Sequence, residues 1–125
     1  IYSEVSGLKI LIAEDDEVHT KLLSIILEEI SSEIICTKTG LEALNYCKDN
    51  SDIDLVLLDI QMPKMNGYKV AKGIRKFNKE VVIIAQTAFA LIGDRDLAIA
   101  AGCNDYLSKP IDKIELLNKI NDLLG

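Results

Sequence analysis

Short aliphatic runs alternate with longer amphipathic stretches along this chain, and this alternation restricts the possible folds more than any other feature of the sequence. Five such pairs follow one another. The short runs span residues 8–13, 33–37, 53–58, 81–85 and 105–107. The first, third and fourth runs are almost continuously aliphatic, which is typical of parallel strands that are covered on both faces.

The longer stretches carry apolar residues at helical spacing, and we expect each set to face the sheet. The sets are Val18, Leu22, Ile25, Ile26 and Ile30 in the first helix, Val70, Ile74 and Phe77 in the third, and Ile114, Leu117, Ile120 and Leu124 in the last. This alternation implies right-handed crossovers and a parallel sheet with helices on both faces. The predicted fold class is therefore α/β, a flavodoxin-like (βα)5 doubly wound sandwich with five parallel strands in the order 2-1-3-4-5.

Local signals at the helix boundaries agree with this division, with one conflict. Thr39 with Glu42, and Asp112 with Glu115, have the spacing of capping boxes. Gly73 lies inside the third predicted helix, where glycine costs about 1 kcal/mol relative to alanine. The sequence offers no reason for this glycine.

The length of 125 residues fits a single domain. We expect the domain to span residues 8–125. Residues 1–7 are polar and unpatterned, so they are predicted to be a linker or an expression remnant, and the absence of an initiating Met suggests a fragment of a longer protein.

The three cysteines have neither C-x-x-C spacing nor an even count. We therefore expect the cysteines to be small buried hydrophobic residues of a protein in a reducing compartment.

Charge and hydropathy exclude several partners. The formal net charge of −6 would repel a nucleic-acid backbone, so no direct nucleic-acid binding is expected. The longest nearly apolar stretch, residues 81–92, is interrupted by Gln86 and Thr87 and is too short to cross a bilayer. We predict a cytoplasmic domain without membrane contact, which could be the cytoplasmic part of a membrane-bound protein.

Polar residues follow four of the five predicted strands. Ligands of doubly wound sheets bind beyond the carboxyl ends of the strands. The residues at these ends are Glu14, Asp15 and Asp16 after the first strand, Asp59 after the third, Thr87 after the fourth and Lys109 after the fifth. Any one of them alone would be read as a helix cap or a solvated loop charge. Because these strands are neighbours in the predicted order, three Asp side chains, a hydroxyl and an ammonium are expected in one pocket.

Such a pocket predicts a magnesium ion and phosphoryl chemistry. Asp15, Asp16 and Asp59 would repel one another unless a cation neutralised them. Oxygen ligands suit Mg²⁺, whereas zinc would require His or Cys ligands. With Mg²⁺ and Lys109 the charges of three carboxylates are balanced, and a site of this kind stabilises a transferring phosphoryl group. Asp59 is the candidate nucleophile, because a carboxylate can form an aspartyl phosphate.

An ordered set of motifs carries a resemblance to a known family. The motifs are Ile12-Ala13-Glu14-Asp15-Asp16, Leu57-Leu58-Asp59-Ile60-Gln61-Met62-Pro63, Met65-Asn66-Gly67-Tyr68, Gln86-Thr87-Ala88 and Tyr106-Leu107-Ser108-Lys109-Pro110. From about residue 8 to residue 124 the chain resembles the receiver domain of two-component response regulators. The resemblance implies a phosphorylation-dependent signalling switch that takes its phosphoryl group from the phosphohistidine of a histidine kinase or a histidine phosphotransfer domain.

The resemblance also implies a role for each site residue. Asp59 would be the phosphoacceptor, Asp16 and Asp59 direct Mg²⁺ ligands, Asp15 a ligand through water, and Gln61 a ligand through its backbone carbonyl. Thr87 and the Ala88 amide would hold phosphoryl oxygens, Lys109 would pair with another, and the Lys109–Pro110 bond would be cis.

Three further residues are given roles by the resemblance or by their setting. Tyr106 would be the switch aromatic that changes the surface of the fourth helix, fifth strand and fifth helix, or else a half-buried strand tyrosine. Phe89, with Gln61, would limit access of water to the phosphorylated site. His19 is expected to be a surface residue of the first helix.

The attachment of the domain stays open. The segments 86–90 and 102–106 resemble receivers carried by hybrid sensor histidine kinases, with a stand-alone regulator or a transcription-factor receiver as alternatives. The domain would not be an enzyme, although it would assist its own phosphorylation and dephosphorylation. A binding module that is never phosphorylated, or an aspartate-nucleophile phosphatase, would be the competing function, and the oligomeric state is undetermined.

Overall fold

Strands and helices alternate along the whole described chain. The computed structural model describes residues 5–88 and 92–125. The strands are β1 (Leu8–Ala13), β2 (Ser31–Thr37), β3 (Leu55–Asp59), β4 (Val82–Thr87) and β5 (Asp105–Ser108). The helices are α1 (Glu17–Leu27), α2 (Gly40–Asp49), α3 (Gly67–Arg75), α4 (Asp94–Ala101) and α5 (Lys113–Leu124), and a 3₁₀ turn, Glu28–Ile30, follows α1.

The sheet has the predicted topology. All four strand pairs are parallel, and the order is β2-β1-β3-β4-β5. Every residue of β3 and β4 is buried, as expected for aliphatic strands covered on both faces. The carboxyl ends of β1, β3, β4 and β5 therefore meet at one edge of the sheet, which confirms the flavodoxin-like (βα)5 prediction.

Two hydrophobic layers sandwich the sheet. Alternate strand residues such as Leu11 and Ala13 pack on one face with α2, α3 and α4. Ile10 and Ile12 point to the other face and pack with α1 and α5. The segment predicted as a linker contributes Val5, which is buried in this second layer.

The predicted inward stripe of α1 is largely wrong. Val18, Leu22 and Ile25 are 80%, 43% and 65% exposed. Ile26 and Ile30 are buried as predicted, and they are joined by Leu23 and Leu27, which the prediction did not include. Both sets satisfy helical spacing, because α1 has more apolar residues than one face can hold, so periodicity alone could not choose between them.

Smaller corrections concern the other helices and one cysteine. Leu117 and Ile120 of α5 are buried as predicted, but Ile114 is 51% exposed. Phe77 lies beyond the end of α3 and is 43% exposed. Cys36 is exposed because it lies on the edge strand β2, whereas the other two cysteines are buried.

The structure explains the glycine inside α3. A Cβ at Gly73 would lie 2.8 Å from Leu44 Cδ1, so the missing side chain allows α2 and α3 to approach closely. At the start of α2, Thr39 and Glu42 form the predicted capping box. None of the helices formed by residues 5–88 and 92–125 has the length and apolar character that crossing a bilayer requires.

Candidate functional site

Asp59 ends the central strand β3 and is only 2% exposed. Its Oδ1 accepts a hydrogen bond from the Gln61 backbone N–H at 3.0 Å. Its Oδ2 lies 3.2 Å from Lys109 Nζ. The carboxylate of Asp59 is thus held in a fixed orientation at the predicted edge of the sheet.

Lys109 brings a positive charge to this edge from the residue after β5. Its backbone N–H donates to the Thr87 carbonyl at 2.7 Å, and the Lys109–Pro110 bond is cis, as the resemblance predicts. Its Nζ lies 2.9 Å from Glu14 Oε1 as well as 3.2 Å from Asp59. Burial lowers the pKa of Lys109, but the two carboxylates outweigh this effect and raise the pKa above its ordinary value.

Glu14 is the site residue to which the sequence assigned no role. The β1–β3 register places Ala13 opposite Leu58. On the other side of β1, the Glu14 N–H donates to the carbonyl of Thr37 in β2 at 3.0 Å and extends the β1–β2 pairing by one residue. Glu14 therefore comes to lie beside Asp59, and its side chain is fully buried. Burial first, and the Asp59 carboxylate second, raise the pKa of Glu14 from 4.5 to about 7.

The acidic cluster consists of Glu14, Asp15 and Asp59. One carboxylate oxygen from each lies within 4.8 Å of the others. Asp16 is not among them, because its Oδ1 accepts hydrogen bonds from the N–H groups of Val18 at 2.9 Å and His19 at 3.3 Å. Asp16 is the N-cap of α1, and one of its carboxylate oxygens is bonded to the helix, so the geometry favours Glu14 over Asp16 as a direct metal ligand.

The cluster fits Mg²⁺ in donor type and in charge. Its donors are carboxylate oxygens, which Mg²⁺ prefers, and it contains neither imidazole nor thiolate. Lys109 is in ion-pair contact with two of the three carboxylates. One ammonium cannot balance three carboxylates, and the pKa of Glu14 is raised by burial first and by the Asp59 carboxylate second.

Thr87 and Ala88 lie at the carboxyl end of β4, which pairs with β3. Thr87 is the last residue of β4 and is 1% exposed. Gln61 links these two residues: its Nε2 donates to Thr87 Oγ1, and its Oε1 accepts the Ala88 N–H at 3.2 Å. The structure therefore brings the predicted hydroxyl and backbone donor together, with an amide side chain bound to both.

His19 and Gln86 form a second feature that the sequence did not reveal. The His19 side chain is 12% exposed, so its expectation as a surface residue is wrong. Its Nε2 lies 3.2 Å from Gln86 Oε1 and 3.6 Å from Glu14 Oε1. Gln86, which is 2% exposed and directly follows the aliphatic run of β4, was the available signal for a buried polar contact.

Tyr106 is half-buried in β5 and packs against the layer formed with α2, α3 and α4. Its pKa is raised, chiefly by burial and secondarily by the nearby Asp94 carboxylate of α4. Tyr106 therefore lies near the first turn of α4. Phe89, the other aromatic residue given a role by the sequence, lies outside the described residues.

Fold and site together define a class of protein. It is a doubly wound α/β domain in which a buried strand-end aspartate contacts a lysine and belongs to an acidic, Mg²⁺-compatible cluster, with a threonine at the end of the neighbouring strand. The sequence model described as the response regulator receiver domain matches residues 10–121. The chain belongs to this family of two-component phosphorelay domains.

Individual relatives agree with this assignment. The polar-differentiation response regulator DivK of Brucella ovis is 36% identical over 118 residues, which are 93% of this chain and 95% of DivK. A second match comes from the co-crystal structure of the Saccharomyces cerevisiae histidine phosphotransfer protein Ypd1 with the Ssk1 receiver domain. The matched chain is 31% identical to this one and superposes with a TM-score of 0.86. The match covers 95% of this chain and 90% of that chain.

A third relative is a receiver domain of a sensor histidine kinase from Pseudomonas aeruginosa, solved with a magnesium ion in its active-site cleft. It is 31% identical, has a TM-score of 0.83, and the match covers 96% of this chain and 99% of that chain.

Proposed function

We propose that Asp59 accepts a phosphoryl group from the phosphohistidine of a partner protein and so switches a protein-binding surface of this domain. The contact of Asp59 with Lys109 supports this proposal most directly. A buried carboxylate with a lysine at 3.2 Å and a threonine hydroxyl at the neighbouring strand end has both the nucleophile and the groups that can hold phosphoryl oxygens.

In this reaction an Asp59 carboxylate oxygen attacks phosphorus, and the phosphorus–nitrogen bond to the donor imidazole breaks. The electron pair of that bond stays with the imidazole. Lys109, the Thr87 hydroxyl and the Ala88 N–H hold the three phosphoryl oxygens during transfer. The role of this domain is to accept the group rather than to turn over a substrate.

Mg²⁺ would be held by Glu14, Asp15 and Asp59, with the Gln61 carbonyl as a further ligand. When bound, it supplies positive charge to the phosphoryl oxygens. Glu14 replaces Asp16 of the sequence prediction, because Glu14 is beside Asp59 and Asp16 caps α1.

The output of phosphorylation would pass through Thr87 and Tyr106. Movement of Thr87 toward the phosphoryl group would give Tyr106 room to turn. The surface formed by α4, β5 and α5 would then shift its population from one of two arrangements to the other. The packing of Tyr106 against the core, near the first turn of α4, supports this route.

The partner would be a histidine kinase or a histidine phosphotransfer domain. The exposed apolar side chains of Val18, Leu22 and Ile25 lie on α1, whose first residues adjoin the acidic cluster. The relative whose structure was solved with the histidine phosphotransfer protein Ypd1 supports this class of partner.

We further propose that residues 8–125 form the receiver of a hybrid sensor histidine kinase on the cytoplasmic side. The sensor-kinase receiver from Pseudomonas aeruginosa supports this attachment. A stand-alone regulator is the second candidate, supported by DivK, of which this chain covers 95%.

The test is phosphorylation by acetyl phosphate, followed by intact-mass measurement with and without Mg²⁺. Wild type is expected to gain the mass of one phosphoryl group only with Mg²⁺, and Asp59→Asn is expected to gain none. Asp52→Asn is the matched control, because Asp52 is an exposed carboxylate that contacts Lys9. No gain in wild type, or an equal gain in Asp59→Asn, would refute the proposal.

A further inference from the structure

The side chain of Gln61 covers the two groups that are proposed to hold phosphoryl oxygens. Its Nε2 donates to Thr87 Oγ1, and its Oε1 accepts the Ala88 N–H at 3.2 Å. Gln61 itself is exposed, whereas Thr87 is buried beneath it. The amide therefore lies at the solvent side of the phosphoryl site.

We infer that the Gln61 amide is an internal competitor of the phosphoryl group, which closes the site before phosphorylation and must leave it for Asp59 to be modified. This inference rests on the function proposed above and gives the side chain of Gln61 a role in it. It differs from control of water access after phosphorylation, because it acts on the unmodified domain.

Competition follows from the number of donors. Ala88 has a single backbone N–H, and Gln61 Oε1 accepts it in the unmodified domain. A phosphoryl oxygen needs the same N–H and would have to displace Oε1. The hydrogen bond to Ala88 is therefore made in one state by the amide oxygen and in the other by the phosphoryl group.

The side chain can leave without disturbing the nucleophile. The Gln61 backbone N–H donates to Asp59 Oδ1 at 3.0 Å, and this bond does not involve the amide. Rotation of the exposed side chain would break its bonds to Thr87 and Ala88 and keep the backbone bond to Asp59. The structure thus separates an anchored backbone from a displaceable side chain.

Removal of the amide should make the site easier to occupy. With Mg²⁺ and beryllium fluoride as a phosphoryl analogue, Gln61→Met and Gln61→Ala should bind the analogue about three- to tenfold more tightly than wild type, since displaced hydrogen bonds are each modest in net strength. Acetyl phosphate should label Asp59 of both variants faster. If Gln61 had only a structural role, both variants would bind the analogue less tightly than wild type, because the pocket would be damaged.

Gln86→Met is the matched control. Gln86 is the other glutamine of the chain and adjoins Thr87 in sequence, but its side chain contacts His19. The control should show no gain in affinity for beryllium fluoride. A gain equal to that of Gln61→Met, or unchanged affinity in both Gln61 variants, would overturn the inference.

A second readout separates this inference from the proposed function. Hydrogen exchange of the Ala88 amide, measured without phosphodonor or analogue, should be faster in Gln61→Met than in wild type. Equal exchange would overturn the inference even if Asp59 is phosphorylated normally. Faster exchange in a protein that never gains phosphoryl mass would support the Gln61 contact and refute the function proposed for Asp59.

Discussion

At the scale of single residues, the buried carboxylate of Glu14 makes the stability of the domain depend on pH. Its carboxylate is fully buried beside Asp59, and its pKa is raised from 4.5 to about 7. For an acid with a raised folded-state pKa, the folded protein binds the proton more tightly than the unfolded chain does. The free energy of unfolding therefore falls as pH rises from about 4.5 to about 7, and stays lower above that range.

Glu14→Gln should remove this pH-dependent loss. In EDTA at about pH 8 we expect the variant to exceed wild type in unfolding free energy by about 1–3 kcal/mol, and the difference should shrink toward about pH 5. Urea denaturation at both pH values measures it. A difference that is the same at both would show that the ionisation of Glu14 is not its cause. The same variant should bind Mg²⁺ more weakly than wild type.

Asp15 and Asp16 should separate a metal ligand from a helix cap. Asp15→Asn should weaken Mg²⁺ binding by about tenfold or more, because the loss of even an outer metal contact has an effect of this size. Asp16→Ala should cost about 1 kcal/mol of stability through the lost cap, with little effect on Mg²⁺ affinity. Calorimetric titration and urea denaturation measure the two quantities.

Asp16→Asn is the control for this pair, because asparagine caps helices as well as aspartate does. It should keep both stability and Mg²⁺ affinity. If Asp16→Asn instead weakened Mg²⁺ binding as strongly as Asp15→Asn, Asp16 would be a metal ligand after all.

These residues also show how far a sequence can locate a site. Asp59, Thr87 and Lys109 were found because each ends or follows a strand, and strand ends can be read from aliphatic runs. The choice among three consecutive acids depends on the exact register of β1 against β3, which pairs Ala13 with Leu58. Hydropathy does not resolve a register of one residue, so Glu14 was placed at the strand end but was given no role.

At the scale of elements, the close approach of α2 and α3 makes a prediction about Gly73. Alanine is favoured over glycine in a helix by about 1 kcal/mol. The new Cβ would, however, lie 2.8 Å from Leu44 Cδ1, so Leu44 would have to move. We expect Gly73→Ala to leave the unfolding free energy of the wild-type background nearly unchanged, because the two effects oppose each other.

In a Leu44→Ala background the same Gly73→Ala change should gain about 1 kcal/mol, because the obstructing methyl group is gone. Urea denaturation of the four proteins in this double-mutant cycle measures the coupling. Equal effects of Gly73→Ala in both backgrounds would show that Leu44 is not the reason for the glycine.

Element boundaries were predicted well where burial and hydropathy agree, and less well where they differ. β1 was predicted at its observed bounds. β4 continues two residues beyond the predicted end, because Gln86 pairs with Asp59, and Thr87 with Ser108, although both β4 residues are polar. The inward face of α1 depends on packing against the sheet, which periodicity does not contain.

At the scale of the whole molecule, the acidic cluster adds local repulsion to a chain whose formal net charge is already −6. Two effects of Mg²⁺ on stability must then be distinguished. Screening of the net charge acts through ionic strength and does not require a site. Specific binding to the folded state adds stability that grows with the logarithm of the Mg²⁺ concentration, by about 2.7 kcal/mol at a hundred times the dissociation constant.

We expect specific binding to dominate. The melting temperature of wild type should rise with Mg²⁺ well beyond the effect of NaCl at equal ionic strength, and this excess should be clearly smaller in Asp15→Asn at the same Mg²⁺ concentration. Differential scanning calorimetry in the two salts measures it. Equal stabilisation by both salts would show that Mg²⁺ acts only by screening the net charge. The cluster of Glu14, Asp15 and Asp59 would then lower the stability of the fold without binding an ion. An excess of the same size in Asp15→Asn as in wild type would instead assign the ion to other carboxylates.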